Sequence, residues 1–251
     1  MTSSSVAALI MAGGRSERMR AGGCGQHKGL RAVLGMPLIE RNLRTLLFFG
    51  FRRLYVAINA EECGLAAWIG GPGQALAQAA SATFESLVER EPRGTIGAVA
   101  SLPRDVEDVV IVNVDNLTSL DLVKLAQAHR EQRAAATIAT HLQPFPIPFG
   151  MVELDGRRVV AYREKPALPV PISSGTYVLH RRAIDRVPPG RRMDVPALIE
   201  ALLAAGEPVV AHPHEEAWID VNDEAALDRA QGLLAKSVRP WPGAAEGRGE
   251  P

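Results

Sequence analysis

The chain has few cysteines, no net charge and no long apolar run. Its two cysteines, Cys24 and Cys63, are too few for a disulfide framework and lack metal-type spacing. The 28 basic residues balance 28 acidic residues, so there is no basic excess of the kind that general nucleic-acid binding shows. No apolar run approaches the roughly 20 residues of a membrane span. We therefore expect reduced thiols and neither a nucleic-acid nor a membrane partner.

The N-terminus has no basic stretch, and its apolar run over residues 6–12 is short for a secretory signal. These features favour a cytoplasmic location. The 251 residues, 47% apolar and 22% charged, suit one large α/β domain, or at most two. Residues 237–251 are rich in proline and glycine, so we expect a domain over residues 1–236 and a disordered tail.

Strands and helices alternate along the first half of the chain. Short apolar runs predict strands at residues 6–11, 54–58, 82–88 and 109–112. Apolar residues at helical spacing predict helices at residues 37–49, 61–69, 95–102 and 120–132, with Gly70-Gly71-Pro72-Gly73 closing the second. Such alternation indicates a parallel sheet with right-handed crossovers.

The second half is richer in strands. Strands are predicted at residues 136–141, 149–154, 159–163, 175–179, 209–211 and 217–219, with Asp155-Gly156 as a hairpin turn. Helices are predicted at residues 194–204 and 222–234, the latter with Asn222 as a possible N-cap. Together the two halves predict an α/β fold with a mixed, mainly parallel central sheet flanked by helices.

The first predicted strand ends in a glycine pair, Gly13 and Gly14, which Arg15, Arg18 and Lys28 follow. Glycine permits close backbone approach, and the amides of such a loop form an anion-binding concavity. The three basic side chains could add charge-assisted hydrogen bonds to phosphate oxygens. The spacing is neither that of a P-loop nor G-x-G-x-x-G. A phosphate-binding loop is predicted, with an ordinary strand-to-loop turn as the alternative.

Two aspartates follow predicted strands. Asp115 comes after the run 109–112, and Asp220 comes after the run 217–219. Ligands of open α/β sheets bind beyond the carboxyl ends of the strands, where one or two carboxylates can hold Mg²⁺ together with phosphate oxygens. The alternative is helix capping, by Asp115 or Asn116 for one helix and by Asp220 for the last. The six histidines show no metal spacing.

Four further segments have residues suited to a second substrate or to a base. In Glu164-Lys165-Pro166, Lys165 could hold a phosphate and Glu164 could accept hydrogen bonds from hydroxyls. Glycines with short neighbours, which suit a sugar-like ligand, occur in Pro148-Phe149-Gly150 and Ser173-Ser174-Gly175-Thr176. The segment Arg93-Gly94-Thr95-Ile96-Gly97 could pack against a flat base. Solvated turns, plain loops and a helix start are the alternatives.

These motifs together resemble the sugar-1-phosphate nucleotidyltransferases, the NDP-sugar pyrophosphorylases with a glycosyltransferase-A-like Rossmann fold. The resemblance covers residues 6–234. It rests on the opening motif 11–19 and on four later motifs in the family's order: 149–153, Glu164-Lys165-Pro166, 175–179 and Trp218-Ile219-Asp220-Val221. Within the family the chain looks most like the small guanylyltransferases that act on mannose-type or heptose 1-phosphates.

The resemblance implies a role for each matching residue. It implies that Arg18, Lys28 and Asp115 are catalytic and that Asp115 and Asp220 hold Mg²⁺. The nucleotide, with GTP favoured, would be bound by Ala12, Gly13, Gly14, Arg15, Arg18, Lys28, Gly94, Thr95, Gly97 and Asn113. The sugar 1-phosphate would be bound by Gly150, Glu164, Lys165, Ser173, Ser174 and Thr176. A homodimer is considered as well.

The chain departs from the family pattern at four places. Val114 stands where glycine usually precedes the metal aspartate, and Ser173-Ser174 replaces Asn-Ala. The loop between Met19 and Lys28 carries an unusual Gly22-Gly23-Cys24-Gly25, and Lys28 precedes Gly29 where proline is common. The departures leave alternatives open. These are CTP or another NTP, a cyclitol phosphate acceptor, a non-catalytic NDP-sugar-binding paralogue and, from the opening motif alone, guanylylation of a pterin cofactor.

Overall fold

The computed structural model describes residues 6–14 and 27–235. Its strands are β1 (Ala7–Ala12), β2 (Ala32–Val33), β3 (Met36–Pro37), β4 (Arg53–Asn59), β5 (Thr83–Glu89), β6 (Asp108–Asn113), β7 (Asn116–Thr118), β8 (Ala136–Pro146), β9 (Met151–Asp155), β10 (Arg158–Arg163), β11 (Ala167–His180), β12 (Val209–His214) and β13 (Trp218–Asp220). Its α-helices are α1 (Leu38–Phe48), α2 (Cys63–Trp68), α3 (Gln74–Ala79), α4 (Leu122–Glu131), α5 (Arg181–Ile184), α6 (Val195–Ala204) and α7 (Glu224–Ala235).

Seven strands form the central sheet, in the order β12-β8-β11-β6-β1-β4-β5. Neighbouring strands run parallel except at β11, which is antiparallel to both β6 and β8. The predicted mixed, mainly parallel sheet is confirmed. The parallel strands end at one edge, so the segments that follow them meet there.

The sheet is covered on both faces. Alternate residues of β1, such as Ile10 and Leu9, belong to two separate apolar clusters. On one face Ile10 lies in a cluster with residues of α1, α2, α3 and α4, and on the other Leu9 lies with residues of α5 and α6. Burial on both faces explains why β1 and β6 have near-continuous apolar sequences.

Short accessory ladders build the edge at which the parallel strands end. β13 pairs antiparallel with β7, so Asp220 lies opposite Asn116. A third apolar cluster, which includes Leu38, Leu117, Val221 and Ala230, packs this ladder against α1 and α7. β9 and β10 form a separate two-stranded hairpin with the predicted turn at Asp155-Gly156. Gly156 in this turn has φ +59°. Among the described residues, no helix is long and apolar enough to cross a bilayer.

The prediction that Gly70-Gly71-Pro72-Gly73 closes a helix is wrong. The helical path continues from α2 through a π-helical turn, Ile69–Gly73, into α3. A wide turn tolerates a proline because neighbouring backbone groups rearrange around the missing amide. A Cβ on Gly73 would lie 3.0 Å from both Phe84 and Trp68, so glycine is needed here for close packing.

Other boundaries differ from the predicted ones. β8 and β11 extend well beyond the predicted strands and pair from Ala167↔Pro146 inward. Prolines recur at every second position of this extension, at 144, 146, 169 and 171, so the intervening amides remain available to the ladder. The helix predicted over residues 95–102 is a 3-10 helix, Gly97–Ser101. The disordered tail predicted over residues 237–251 lies outside the described residues.

Candidate active site

The glycine pair and Asp115 leave adjacent parallel strands at the same edge. Met11 of β1 pairs with Asn113 of β6, and the amide of Val114 donates to the carbonyl oxygen of Met11 at 3.0 Å. Gly13 and Asp115 therefore begin their loops side by side. Arg15 and Arg18, the predicted basic partners of this loop, lie outside the described residues.

His27 fixes the backbone on which Lys28 stands. The amide of Gly29 donates to His27 Nδ1 at 2.9 Å, so Nε2 carries the proton and donates to the carbonyl oxygen of Ala12 at 2.9 Å. His27 is 2% exposed. No sequence motif pointed to His27, because a lone histidine outside a motif gives no signal of its partners.

Two residues that depart from the family pattern, Gly29 and Val114, are neighbours in the structure. A Cβ on Gly29 would lie 3.0 Å from Val114 Cγ2 and 3.0 Å from His27 Nδ1. Val114 is fully buried, so its side chain packs below residue 29. Glycine after Lys28 therefore makes room for valine before Asp115.

Lys28 joins the aspartates at this edge. Its Nζ donates to Asp115 Oδ2 at 2.5 Å, with the two side chains 21% and 15% exposed. The amide of Val221 donates to the carbonyl oxygen of Asp115 at 2.8 Å, which brings Asp220 beside Asp115. Partial burial at this edge, and then the charge of Asp115, raise the pKa of Asp220, while Lys28 opposes the shift.

Neither aspartate caps a helix. The side chain of Asp121 accepts from the amides of Val123 and Lys124 and caps α4. Asp223 Oδ1 accepts from the amide of Ala226 at 2.6 Å and caps α7, so the predicted Asn222 cap is wrong. Both carboxylates at the edge are thus available for another role.

This pair of carboxylates fits a divalent cation. Burial, and then the charge of Asp115, raise the pKa of Asp220, and a cation between the two carboxylates would relieve their repulsion. The part of the chain that the structure describes has no group of three or more potential metal ligands. Magnesium needs only one or two protein carboxylates when substrate phosphates complete its shell, so the donor set suits a metal that arrives with a nucleotide.

Glu89 is a second site residue that no sequence motif indicated. It ends β5 at the same edge and is 2% exposed. A Cβ on Gly13 would overlap its Oε2, so the carboxylate lies directly against the glycine turn. Its Oε1 has no hydrogen-bond partner among the described residues. Burial raises the pKa of Glu89, and Arg93 opposes that shift.

Residues 93–97, the predicted base-binding segment, form hydrogen bonds with the start of α6. The amide of Thr95 donates to Asp194 Oδ1 at 2.8 Å, and the amide of Val195 donates to Thr95 Oγ1 at 2.9 Å. Gly94 has φ +80°, and a Cβ there would collide with the backbone of Met193. The segment is therefore anchored to the start of α6.

The predicted acceptor residues of β11 form a bulge in its pairing with β8. The register shifts between Ser173 and Tyr177. Gly175 has φ +72°, and a Cβ there would lie 2.9 Å from Asn116 Nδ2 and 3.0 Å from Asn113 Nδ2. Thr176 lies opposite Val112 of β6, so the bulge meets the edge that holds Asp115.

The remaining predicted acceptor residues lie around the β9–β10 hairpin. The hydroxyl of Tyr162 donates to Glu164 Oε2 at 3.0 Å, and a Cβ on Gly150 would overlap that hydroxyl. Lys165 has φ +42°, although a residue before proline normally adopts an extended conformation. Such strain is typical of functional sites. These contacts join Gly150 to Glu164 but do not reach Asp115 or Asp220.

Comparison with known proteins gives a match over nearly the whole chain. The model of the family described as nucleotidyl transferase matches residues 7–237. The mannose-1-phosphate guanylyltransferase of Mycobacterium tuberculosis is 28% identical over 257 aligned positions, which cover 100% of this chain and 70% of that protein. The UTP–glucose-1-phosphate uridylyltransferase of Synechocystis is 27% identical, over 92% of this chain and 64% of that protein. The chain thus spans only part of these relatives.

A solved structure supports the fold. A Bacillus anthracis protein assigned as a glucose-1-phosphate thymidylyltransferase superposes with a TM-score of 0.72 at 19% identity, over 95% of this chain and 98% of that one. The α/β architecture expected from the resemblance is thereby confirmed.

Proposed function

Because the chain belongs to the nucleotidyl transferase family, we propose that it transfers a nucleotidyl group from an NTP to a sugar 1-phosphate and releases pyrophosphate. The observation that carries the proposal is the convergence of Lys28, Asp115 and Asp220 beside the Gly13 turn. Phosphate-binding and metal-binding groups share one edge of the sheet. The guanylyltransferase and uridylyltransferase names of the relatives support the same reaction.

The proposed reaction is an in-line displacement. A phosphate oxygen of the acceptor attacks the α-phosphorus, the bond from that phosphorus to the bridging oxygen breaks, and pyrophosphate leaves with the electron pair. Asp115 and Asp220 would hold a divalent cation, for which Mg²⁺ is proposed, and the cation would neutralise phosphate charge. Lys28 would move from Asp115 to a phosphate oxygen. Positioning and electrostatic stabilisation then supply the catalysis, without a covalent enzyme intermediate.

We propose GTP as the nucleotide because of Glu89. β4 and β5 lie on the side of β1 away from β6 and β11. If the acceptor occupies the β11 side, the nucleoside extends toward β5, where the Glu89 carboxylate meets Gly13. Guanine presents two adjacent N–H donors, N1–H and the N2 amino group, which one carboxylate can accept together. Uracil, adenine and cytosine each present an acceptor at one of the corresponding positions and would leave the carboxylate partly unpaired.

Pyrophosphate release tests the reaction. Purified protein would be assayed with Mg²⁺, each NTP in turn, and a panel of hexose, heptose and cyclitol phosphates. We expect release that requires GTP and one sugar 1-phosphate, with mannose-type and heptose 1-phosphates as the first candidates. Nucleotide binding without release from any pair would contradict the proposal and favour a non-catalytic NDP-sugar-binding protein.

Replacing Glu89 tests the choice of base. Glutamine offers one acceptor and one donor, which match the N3–H and a carbonyl oxygen of uracil. We expect Glu89→Gln to lower kcat/KM for GTP by roughly 10²-fold or more, because buried polar groups discriminate strongly, and to raise the relative use of UTP. Glu85→Gln, at an exposed position of the same strand, is the matched control. An unchanged GTP:UTP ratio in the Glu89 variant would remove Glu89 from base recognition.

A further inference from the structure

Ser174 is the centre of a buried polar network under the β11 bulge. The residue is 1% exposed. Its hydroxyl lies 3.1 Å from the carbonyl oxygen of Ala139 and 3.0 Å from His214 Nε2. Its carbonyl oxygen accepts from the indole N–H of Trp218 at 2.6 Å and from the side-chain amide of Asn116. Four strands, β8, β12, β13 and β7, therefore hold this one residue.

The network fixes the protonation of His214. A carbonyl oxygen can only accept, so the Ser174 hydroxyl donates its single proton to the carbonyl oxygen of Ala139. His214 Nε2 must then carry a proton and donate to the hydroxyl oxygen. Burial lowers the pKa of His214, Glu216 opposes the shift, and His141 and His212 add to it. A neutral imidazole with the proton on Nε2 satisfies both constraints.

Three titratable groups affect His214, and among the described residues the hydrogen bond of its Nε2 goes to Ser174. Glu216 Oε2 lies on the other side of the ring, 3.6 Å from Nδ1. His141 pairs with His214 in the β8–β12 register, and the two ring centroids are 5.4 Å apart. His212 is the other titratable neighbour that affects His214. The Nε2–H donor is thus directed at Ser174.

The hydrogen bonds of Ser174 determine the orientation of the bulge. Gly175 follows at φ +72° and packs against the amides of Asn113 and Asn116. Thr176 Oγ1 and Asn116 Oδ1 are buried without a hydrogen-bond partner among the described residues. Asn116 lies opposite Asp220, so these two polar atoms are next to the carboxylate edge. Hydroxyl groups of a bound acceptor could satisfy them.

We propose that His214 is a positioning residue for the acceptor. Its Nε2–H, acting through Ser174, fixes the bulge that presents Gly175 and Thr176 to the edge with Asp115 and Asp220. The proposal rests on the proposed function, since it takes a sugar 1-phosphate as the acceptor. It also gives the Ser173-Ser174 departure a role, because a serine hydroxyl can accept from His214 and donate to Ala139, which an alanine cannot do.

Two variants and a control test this role. His214→Leu removes the donor, whereas His214→Gln keeps an N–H donor of similar reach. We expect His214→Leu to raise the KM for the acceptor about tenfold, because a buried hydroxyl loses its partner, with the KM for GTP unchanged. His214→Gln should recover most of the loss. His212→Gln, two residues earlier in β12, is the control and should behave as wild type.

Hydrogen exchange of the ligand-free protein separates anchoring from catalysis. Peptides spanning residues 172–178 should exchange faster in His214→Leu than in wild type, and those spanning β1 should not. Equal rises in both KM values, or unchanged exchange over residues 172–178, would overturn the proposal. If wild type releases no pyrophosphate with any pair, the proposed function fails. Faster exchange over residues 172–178 in His214→Leu would still show that His214 anchors the bulge, and unchanged exchange would show that it does not.

Discussion

The two sides of the proposed site are built differently, the one proposed to bind the nucleotide and the one proposed to bind the acceptor. On the nucleotide side, β1 and β6 are almost wholly buried between helices, and the site residues stand on turns directly after them. On the acceptor side, the outer parts of β8 and β11 and the β9–β10 hairpin are mostly exposed. The bulge at Ser174 lies between these buried strands and the exposed outer part of β11.

The difference shows two ways to position site residues. Apolar burial fixes β1 and β6, and Gly13 and Asp115 follow because adjacent parallel strands end together. The acceptor side has little apolar burial, so directional contacts position its residues instead. Ser174 is held by four polar partners, and Glu164 by Tyr162.

The largest expected effect is on the nucleotide side. Asp115→Asn should lower kcat by about 10²–10³-fold, because it removes a carboxylate that would hold the cation that neutralises phosphate charge in the transition state, while the fold persists. Pyrophosphate release and circular dichroism would measure this, with the exposed Asp228→Asn on α7 as the control. Near-normal turnover in the folded Asp115 variant would remove Asp115 from the metal site.

The next effect compares two glycines that share a left-handed conformation. Gly175→Ala and Gly190→Ala both place a side chain near φ +72°, but only a Cβ at 175 meets neighbours, Asn116 and Asn113. Both should lose about 1–2 kcal/mol of unfolding free energy through backbone strain. Gly175→Ala should lose a further 1–3 kcal/mol, roughly, from overpacking. Urea unfolding measures the difference, and equal losses would show that the bulge can relax.

The smallest effect concerns Asp220 and pH. Its pKa is raised in the folded protein, so the folded state binds the proton more tightly than the unfolded chain. Stability therefore falls as the pH rises from the ordinary aspartate pKa through the raised value, and the charged form is unfavourable at neutral pH. In metal-free buffer Asp220→Asn should raise the urea midpoint slightly at pH 7. The gain should shrink as the pH falls toward about 4, and a lower midpoint at pH 7 would contradict this sign.

Sequence periodicity located most of the fold because the strands and helices carry their own patterns. The runs at β1 and β6 predicted buried strands, and the helical spacing at α4 and α6 predicted amphipathic helices. The pattern failed at Gly70-Gly71-Pro72-Gly73, where the helical path continues through a π-helical turn and a Cβ on Gly73 would crowd Phe84 and Trp68. It also missed the outer parts of β8 and β11, because prolines normally argue against strands.

The site was foreseen where a motif follows a strand and missed where a single residue acts through distant partners. Asp115, Asp220 and Lys28 were singled out, and the structure brings these three together. His27, Glu89 and His214 were not singled out as site residues. Each makes its decisive contact with a residue far along the chain, and one sequence carries no signal of such a pair.

Local apolar periodicity and chain breaks are enough to predict the α/β alternation, the glycine turn after β1 and the aspartates after β6 and β13. They do not predict that Gly29 accommodates Val114, that Glu89 lies against Gly13 or that His214 holds Ser174, because these contacts form only in the folded chain. Local patterns fix where a strand ends. Which side chains then meet across the sheet depends on strand order and register, and these are set by the packing of the whole chain.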